Sequence, residues 1–374
     1  MSFLHLSEPE DTHTLVYELL LFIAISVWVH KENMISRTQN QITNGWNETE
    51  TIAVSVVCTT YNHELYVREA LEGFLMQETD FPFEIIIHDD ASTDKTGEII
   101  QEYVFKYPEI IRPIFQSVNQ YSKGGFKPLV YAAGFAKGKY VALCEGDDYW
   151  IAPEKLQTQV DLLEKNTEID FAFHSALTRA ESVIHDTHRW DYGRDRKFSL
   201  HEVIMSSRSF APTCSYFFRR ESLTRLPDWF FTMALVGDYY LEIFGSQRGG
   251  AIYTYKAMSV YRAESIGSWT ERNIGNVARV EELTAAFFKT IPHFAEYLNC
   301  SVDVFSARRA EKHIELCLLY LGEQNFSEFR RHIDASFEQH ADLSPRQRYI
   351  YRLRRLPRLL RFLIQSRAKL KSSL

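Results

Sequence analysis

Apolar and polar positions alternate in blocks over the first half of the chain. Ile52 to Cys58 (I-A-V-S-V-V-C) is a short β-branched run that reads as a buried strand. It breaks into T-T-Y-N-H-E, after which Leu65, Val67, Ala70, Leu71, Phe74 and Leu75 recur at helical spacing up to Met76. Phe83 to Ile87 is a second strand, ending in His88, Asp89 and Asp90, and Ser92 or Thr93 is placed to cap the next helix. Ile110 to Phe115 predicts a strand, Pro128 to Lys137 a helix and Tyr140 to Cys144 a further strand. Strands alternating with helices imply βαβ units, hence an α/β fold with a mostly parallel sheet flanked by helices. Ligands of such sheets bind beyond the carboxyl ends of the strands, where the polar clusters after Cys58, Ile87 and Cys144 fall.

Beyond Pro153 the pattern is mixed: a helix from Lys155 to Lys165, strands over Ile169 to Leu177 and Cys214 to Phe218, a helix opening at Gly237 and Asp238, and a strand over Ala251 to Tyr261. From Asn276 onward the reading is helical, with Glu311 to Leu321 and Phe326 to Phe337 as a hairpin. The chain thus divides into three regions: an apolar segment and linker over 1–50, the α/β domain over 51–270, and a helical C-terminal region over 271–374.

Charge sharpens this division. The formal net charge is −7, yet from Arg346 to the end there are ten Lys or Arg and no acid, leaving 32 basic against 49 acidic groups elsewhere. An acidic body argues against general nucleic-acid binding. The tail, R-L-R-R-L-P-R-L-L-R-F-L-I-Q-S-R-A-K-L-K over 352–371, mixes apolar residues and Arg at helical spacing, with Pro357 starting or kinking the helix. Such a helix suits an anionic membrane surface, a solvated or body-packed helix being the other reading. Leu15 to Val29 is strongly apolar but short and contains Glu18, whereas a span takes roughly 20 residues. It reads as a helix packed on the body or, alternatively, as a membrane anchor, with Lys31 and Arg37 keeping the α/β domain cytoplasmic. The five cysteines are scattered without a C-x-x-C pair, as buried thiols of a reducing compartment would be, and the sequons at Asn47, Asn299 and Asn325 then read as chance.

The chemistry concentrates at K-Y-V-A-L-C-E-G-D-D-Y-W, 139–150. Glu145, Asp147 and Asp148 at the end of a buried strand repel one another and resist desolvation. A hard divalent cation, Mg²⁺ or Mn²⁺, relieves both costs and leaves positions open for phosphate. An acidic turn that merely caps the next helix is the plainer alternative.

Four blocks in order, V-S-V-V-C-T-T-Y-N-H-E (54–64), I-I-I-H-D-D-A-S-T-D (85–94), G-K-Y-V-A-L-C-E-G-D-D-Y-W (138–150) and V-G-D-Y-Y-L (236–241), resemble the family 2 glycosyltransferases of GT-A (Rossmann-like) fold, especially bacterial enzymes of surface polysaccharide synthesis. The resemblance covers roughly 52–265. It implies a nucleotide-sugar donor, a saccharide or lipid-linked acceptor, inversion at the anomeric carbon, and a place at the cytoplasmic face of a membrane. By position it assigns Thr59, Thr60 and Tyr61 to line the base, with Asp90 or Asp89 accepting from a uracil-like N–H. Lys123 is placed to reach the diphosphate, Asp147 to face the ribose and metal shell, Asp148 to ligate the cation and Asp238 to act as base. Where many relatives carry Y-R-x-H, this chain has Tyr261 to Glu264, Y-R-A-E, making Glu264 a candidate oxygen ligand and Arg262 a partner for phosphate or carboxylate. A sugar nucleotidyltransferase would want a Gly-rich basic loop after the first strand, which T-T-Y-N-H-E lacks. A catalytically inactive sugar-nucleotide-binding or membrane scaffold protein is the rival of another class.

Overall fold

The computed structural model describes residues 37–46, 51–180, 183–185, 190–206, 210–263, 265 and 275–372. The expectations for Leu15 to Val29, Asn47 and Glu264 lie outside these residues. From Thr38 onward the chain forms one compact unit.

Its centre is a sheet in the order β3-β2-β1-β4-β9-β6-β10-β5, with β7 on β6 and β8 on β10. The strands are β1 (Val54–Thr60), β2 (Phe83–Asp89), β3 (Ile111–Phe115), β4 (Tyr140–Glu145), β5 (Tyr149–Trp150), β6 (Phe171–Ala180), β7 (Val183–His185), β8 (Arg196–Phe198), β9 (Phe217–Arg219) and β10 (Ala251–Arg262). β1, β2, β3 and β4 pair in parallel, as do β6 and β10. The short β9 lies antiparallel between β4 and β6, so all six longer strands run the same way. This is the mostly parallel α/β sheet that the apolar runs predict.

Both faces of this sheet are covered, which is why its strands read as unbroken apolar runs. Val56, Cys58, Ile85, Ile87, Ala142 and Cys144 point into one core, with Leu71 and Phe74 of the helix Val67–Leu75 and Leu156 of the helix Lys155–Glu164. Val57, Ile86, Val141 and Leu143, one residue out of phase, point into a second. That second core also takes Tyr240 and Phe244 of the helix Asp238–Gly245 and Phe287, Ile291 and Phe294 of the helix Val277–Tyr297. A third core joins the helices Ser306–Gly322, Phe326–Gln339, Pro345–Arg352 and Pro357–Ser372 through Ile314, Cys317, Phe329, Ile333, Ile350 and Leu360.

Cys58, Cys144, Cys214, Cys300 and Cys317 are all free thiols, Cys300 being half-buried and the rest buried. Among the described residues no helix is long and apolar enough to cross a membrane. Asn325 serves as a helix cap, its side chain accepting from the Glu328 N–H.

Two local expectations change. Cys214 to Phe218 is not one strand: Thr213–Ser215 forms a 3₁₀ turn and only Phe217–Arg219 joins the sheet. The turn is fixed by Ser215 N–H to the Pro212 carbonyl (2.8 Å) and by Trp150 Nε1–H to the Cys214 carbonyl (2.9 Å). Ser92 and Thr93 do not cap the next helix, Thr96–Lys106, whose cap position is Lys95. They bind the T-Y-N-H-E loop instead.

Candidate active site

In-register pairing of β1 with β2 and β4 sets Thr60 beside Asp89 and Thr59 beside Glu145 at the carboxyl edge. The loops leaving β1 and β2 are then stitched together. Asn62, in the left-handed region at φ 56°, accepts the Thr93 N–H on Oδ1 (2.8 Å) and donates its own N–H to Ser92 Oγ (2.9 Å). The Glu64 N–H reaches Asp94 Oδ2 at 3.0 Å, and the Lys95 N–H returns to Glu64 Oε2 at 3.0 Å.

Asp89 and Asp90 are both buried, and both are bound by the chain. Asp89 accepts from Thr60 Oγ1 (3.0 Å), the Ser92 N–H (3.2 Å) and the Ser92 hydroxyl. Asp90 takes the Gln120 N–H on Oδ1 (2.8 Å) and the Tyr121 N–H on Oδ2 (2.9 Å), which seats the turn Tyr121–Lys123. Lys123 is exposed at the end of that turn, donating to Gln120 Oε1 at 3.2 Å. Thr59 and Thr60 are buried and Tyr61 is half-buried at the end of β1.

The E-G-D-D turn closes against β1. The Gly146 N–H donates to the Thr59 carbonyl at 2.9 Å, and a Cβ there would meet Thr60 Cγ2 at 2.5 Å and His63 Nδ1 at 3.1 Å. Only glycine lets the turn approach that closely. Asp147 is half-buried, its Oδ2 accepting from Ser265 Oγ at 2.6 Å. Asp148 is buried, 1% exposed; its Oδ1 accepts the Arg262 backbone N–H at 2.8 Å and its Oδ2 has no hydrogen-bond partner. Burial, and then the Asp147 charge, pushes the Asp148 carboxyl well above the ordinary range, against the pull of Arg262.

Arg262 resolves its two sequence readings in favour of a carboxylate. Its guanidinium pairs with Glu69, donates to the Asp147 carbonyl, and lies 4.5 Å from the Tyr149 ring centre. Arg179 joins the same Glu69 at 3.4 Å.

Glu145, half-buried, is likewise pushed well up by burial and by Asp147, Asp238 and Asp148, in that order. The Asp238 charge thus acts on Glu145. Asp238 is the first residue of its helix, with Gly237 at the cap position, so it is no ordinary N-cap. A helix N-terminus by itself favours the ionised form of a carboxyl. The Asp238 carboxyl is instead raised, by surrounding protein and against its own backbone N–H. The side chain is nonetheless solvent-accessible, as a residue lining an open cleft can be, and water limits the size of that rise.

Glu145 and Asp148, both raised by burial and by the Asp147 charge, and the orphaned Asp148 Oδ2 offer oxygen ligands of the kind a hard divalent cation takes. Residues 55–226 match the sequence profile of Glycosyl transferase family 2. This span is a family 2 glycosyltransferase domain. The match includes Thr59, Thr60, Tyr61, Asp89, Asp90, Lys123, Asp147 and Asp148, and Asp238 and Arg262 lie beyond it.

Relatives of the glycosyltransferase domain agree. An uncharacterised protein of Mycobacterium tuberculosis is 38% identical over 58% of this chain and 60% of its own length. The chain thus spans about three fifths of the length of this relative. The Escherichia coli protein WfaP, a UDP-Glc:α-D-GlcNAc-diphosphoundecaprenol β-1,3-glucosyltransferase, is 31% identical over 35% of this chain and 49% of its own. Staphylococcus aureus TarS 1-349 in complex with UDP-GlcNAc superposes with a TM-score of 0.55 at 18% identity, covering 82% of this chain and 88% of that one. At that identity the likeness speaks for the fold.

Three residues near the candidate site or its helices went unassigned in the sequence. His63, beside Gly146, has a buried Nδ1 without a partner, and burial lowers its proton affinity against the pull of Asp147, Asp94 and Asp89. Lys127 is buried, forms no ion pair among the described residues, lies 5.9 Å from the Phe230 ring centre, and is lowered by burial. Glu242, one helical turn after Asp238, accepts from Tyr216 Oη (2.7 Å) and the Ala211 N–H (3.0 Å). Its Oε2 has no partner, and burial pushes it up to about 8. In L-E-I-F it reads as an outward-facing position; only the packing of 211–216 shows otherwise.

Proposed function

We propose that the chain is an inverting glycosyltransferase that moves a sugar from a nucleoside-diphosphate donor, a UDP-sugar foremost, to a saccharide or lipid-linked acceptor in surface polysaccharide synthesis. It works peripherally at the cytoplasmic face of the cell membrane. The observation that carries this reading is the E-G-D-D turn inside the family 2 span, where Asp147 and Asp148, with its unpartnered Oδ2, sit at the carboxyl edge of β4 against the end of β1.

The base and ribose lie along Thr59, Thr60, Tyr61 and Asp89 or Asp90, whose carboxylate oxygens retain acceptor capacity beside their present bonds. Lys123 contributes charge toward the diphosphate. Asp147 and Asp148 hold Mg²⁺ or Mn²⁺, with Glu264 as a further oxygen donor; the cation's chemistry is to stabilise charge developing on the leaving diphosphate. Asp238 takes the proton of the acceptor hydroxyl as its oxygen bonds the anomeric carbon from the face opposite the breaking sugar–phosphate bond. A raised Asp238 carboxyl is a stronger base than an ordinary aspartate once ionised. The donor and acceptor of WfaP support a UDP donor and a lipid-diphosphate acceptor. A dTDP-rhamnosyl transferase of Shigella flexneri, 29% identical over 44% of this chain, makes the base an open choice for experiment.

The test is calorimetric titration of the purified chain with UDP, GDP, dTDP and CDP, with and without Mn²⁺. Mn²⁺-dependent binding of one nucleotide, lost in Asp147→Asn, is the expected result. Absence of binding by all four sinks the donor-site assignment.

A further inference from the structure

The helix Pro357–Ser372 closes the third core with one side only. Pro357 and Leu360 are buried there. Turned away from them, Leu356, Leu359, Phe362 and Leu363 are 55%, 45%, 65% and 38% exposed. At 100° per residue Leu359, Phe362 and Leu363 share one arc, and Leu356 continues it at the preceding turn. No described element covers this stripe. Exposed Arg358 borders it on the same helix, exposed Arg352 and Arg355 precede it in the chain, and no acid occurs between Arg346 and the C-terminus.

We propose that this stripe docks on an anionic lipid bilayer. The helix lies in the plane of the surface, with Leu359, Phe362 and Leu363 in the acyl boundary and the arginines at headgroup phosphates. Charge decides between occupants. A second copy seated by two-fold symmetry sets this basic rim against itself, whereas anionic lipid neutralises it. The acidic remainder of the chain is repelled by the same surface, so contact is confined to the tail, which fixes orientation as well as attachment. The inference rests on the proposed lipid-linked acceptor only for its purpose.

Co-sedimentation of the full chain, without sugar nucleotide, is measured with phosphatidylcholine vesicles and with equimolar phosphatidylcholine and phosphatidylglycerol. Binding to the mixed vesicles alone, weakening with added salt, is expected. The double variant Leu359→Glu, Phe362→Glu abolishes it with an unchanged thermal midpoint, since both side chains are exposed. Arg355→Gln and Arg358→Gln each weaken it roughly fivefold. No binding, equal binding to both vesicles, or wild-type binding by the double variant overturns the proposal. So does a dimer in sedimentation velocity that the double variant dissolves. Nucleotide titration of the double variant, expected at wild-type level, keeps this outcome separate from that of the donor site.

Discussion

The Arg262 backbone N–H donates to Asp148 Oδ1 at 2.8 Å, so the last residue of β10 holds the acidic turn at the end of β4. The Arg262 side chain doubles the connection through the Asp147 carbonyl and Glu69. Asp148 therefore has two separable tasks, one for each oxygen: Oδ1 accepts a strut, and the unpartnered Oδ2 is the proposed cation ligand.

Asp148→Ala strands the buried Arg262 N–H, at a cost of about 1–3 kcal/mol, and lowers the thermal midpoint by several degrees. Asp148→Asn keeps an acceptor for that N–H, so its midpoint stays near wild type while Mn²⁺-dependent nucleotide affinity falls. Retained Mn²⁺ dependence in a well-folded Asp148→Asn protein would falsify ligation by Asp148, leaving it the strut alone.

Glu242 gives a pH signature. Its carboxyl is pushed up to about 8, whereas an unfolded-chain glutamate titrates near ~4.3. Between those values the folded protein keeps a proton that the unfolded chain has lost. Its contribution is therefore complete below the lower value and disappears as pH rises through the upper. Thermal midpoints should decline from about pH 5 to about pH 8.5 and decline less steeply in Glu242→Gln. A slope identical in the two proteins counts against a buried, protonated Glu242.

Glu145 and Asp148 shift in the same upward direction, so the metal-free protein also holds protons on them that the unfolded chain releases. A bound cation displaces those protons, and its affinity rises with pH. Mn²⁺ should accordingly raise the thermal midpoint more near pH 8 than near pH 5.5. Equal increments at both would mean that binding does not draw on these carboxyls.

Asp238→Asn removes the proposed base while leaving the nucleotide edge intact. Turnover should fall by roughly 10²–10⁴, with nucleotide affinity unchanged by calorimetry. A parallel loss of affinity would place Asp238 in the donor site instead.

β1, β2 and β4 were legible because each is a short apolar run cut off by polar residues, and burial on both faces removes the alternation that would otherwise obscure such a run. Asp147 and Asp148 declared themselves by carboxylate density at the end of one of these runs. Arg262 and Glu69, 193 residues apart, carry no local sign of meeting. Glu242 and His63 were hidden for a related reason: their character comes from burial supplied by distant segments. Lys155 shows the same limit. It reads as an ordinary helix residue, yet its Nζ is buried 3.8 Å from the Trp150 ring centre, and burial lowers it to about 7. Asp94 displaced Ser92 and Thr93 near the next helix because its carboxylate takes the Thr96 N–H at 2.9 Å.

Asp90 spends both of its oxygens on the N–H groups of Gln120 and Tyr121. Replacing it to change which donor is accepted also cuts the moorings of the turn that carries Lys123. On the roles proposed for Asp90 and Lys123, selectivity for the base and grip on the phosphates would be inherited together, and a redesigned donor preference would have to rebuild both ends of the nucleotide at once.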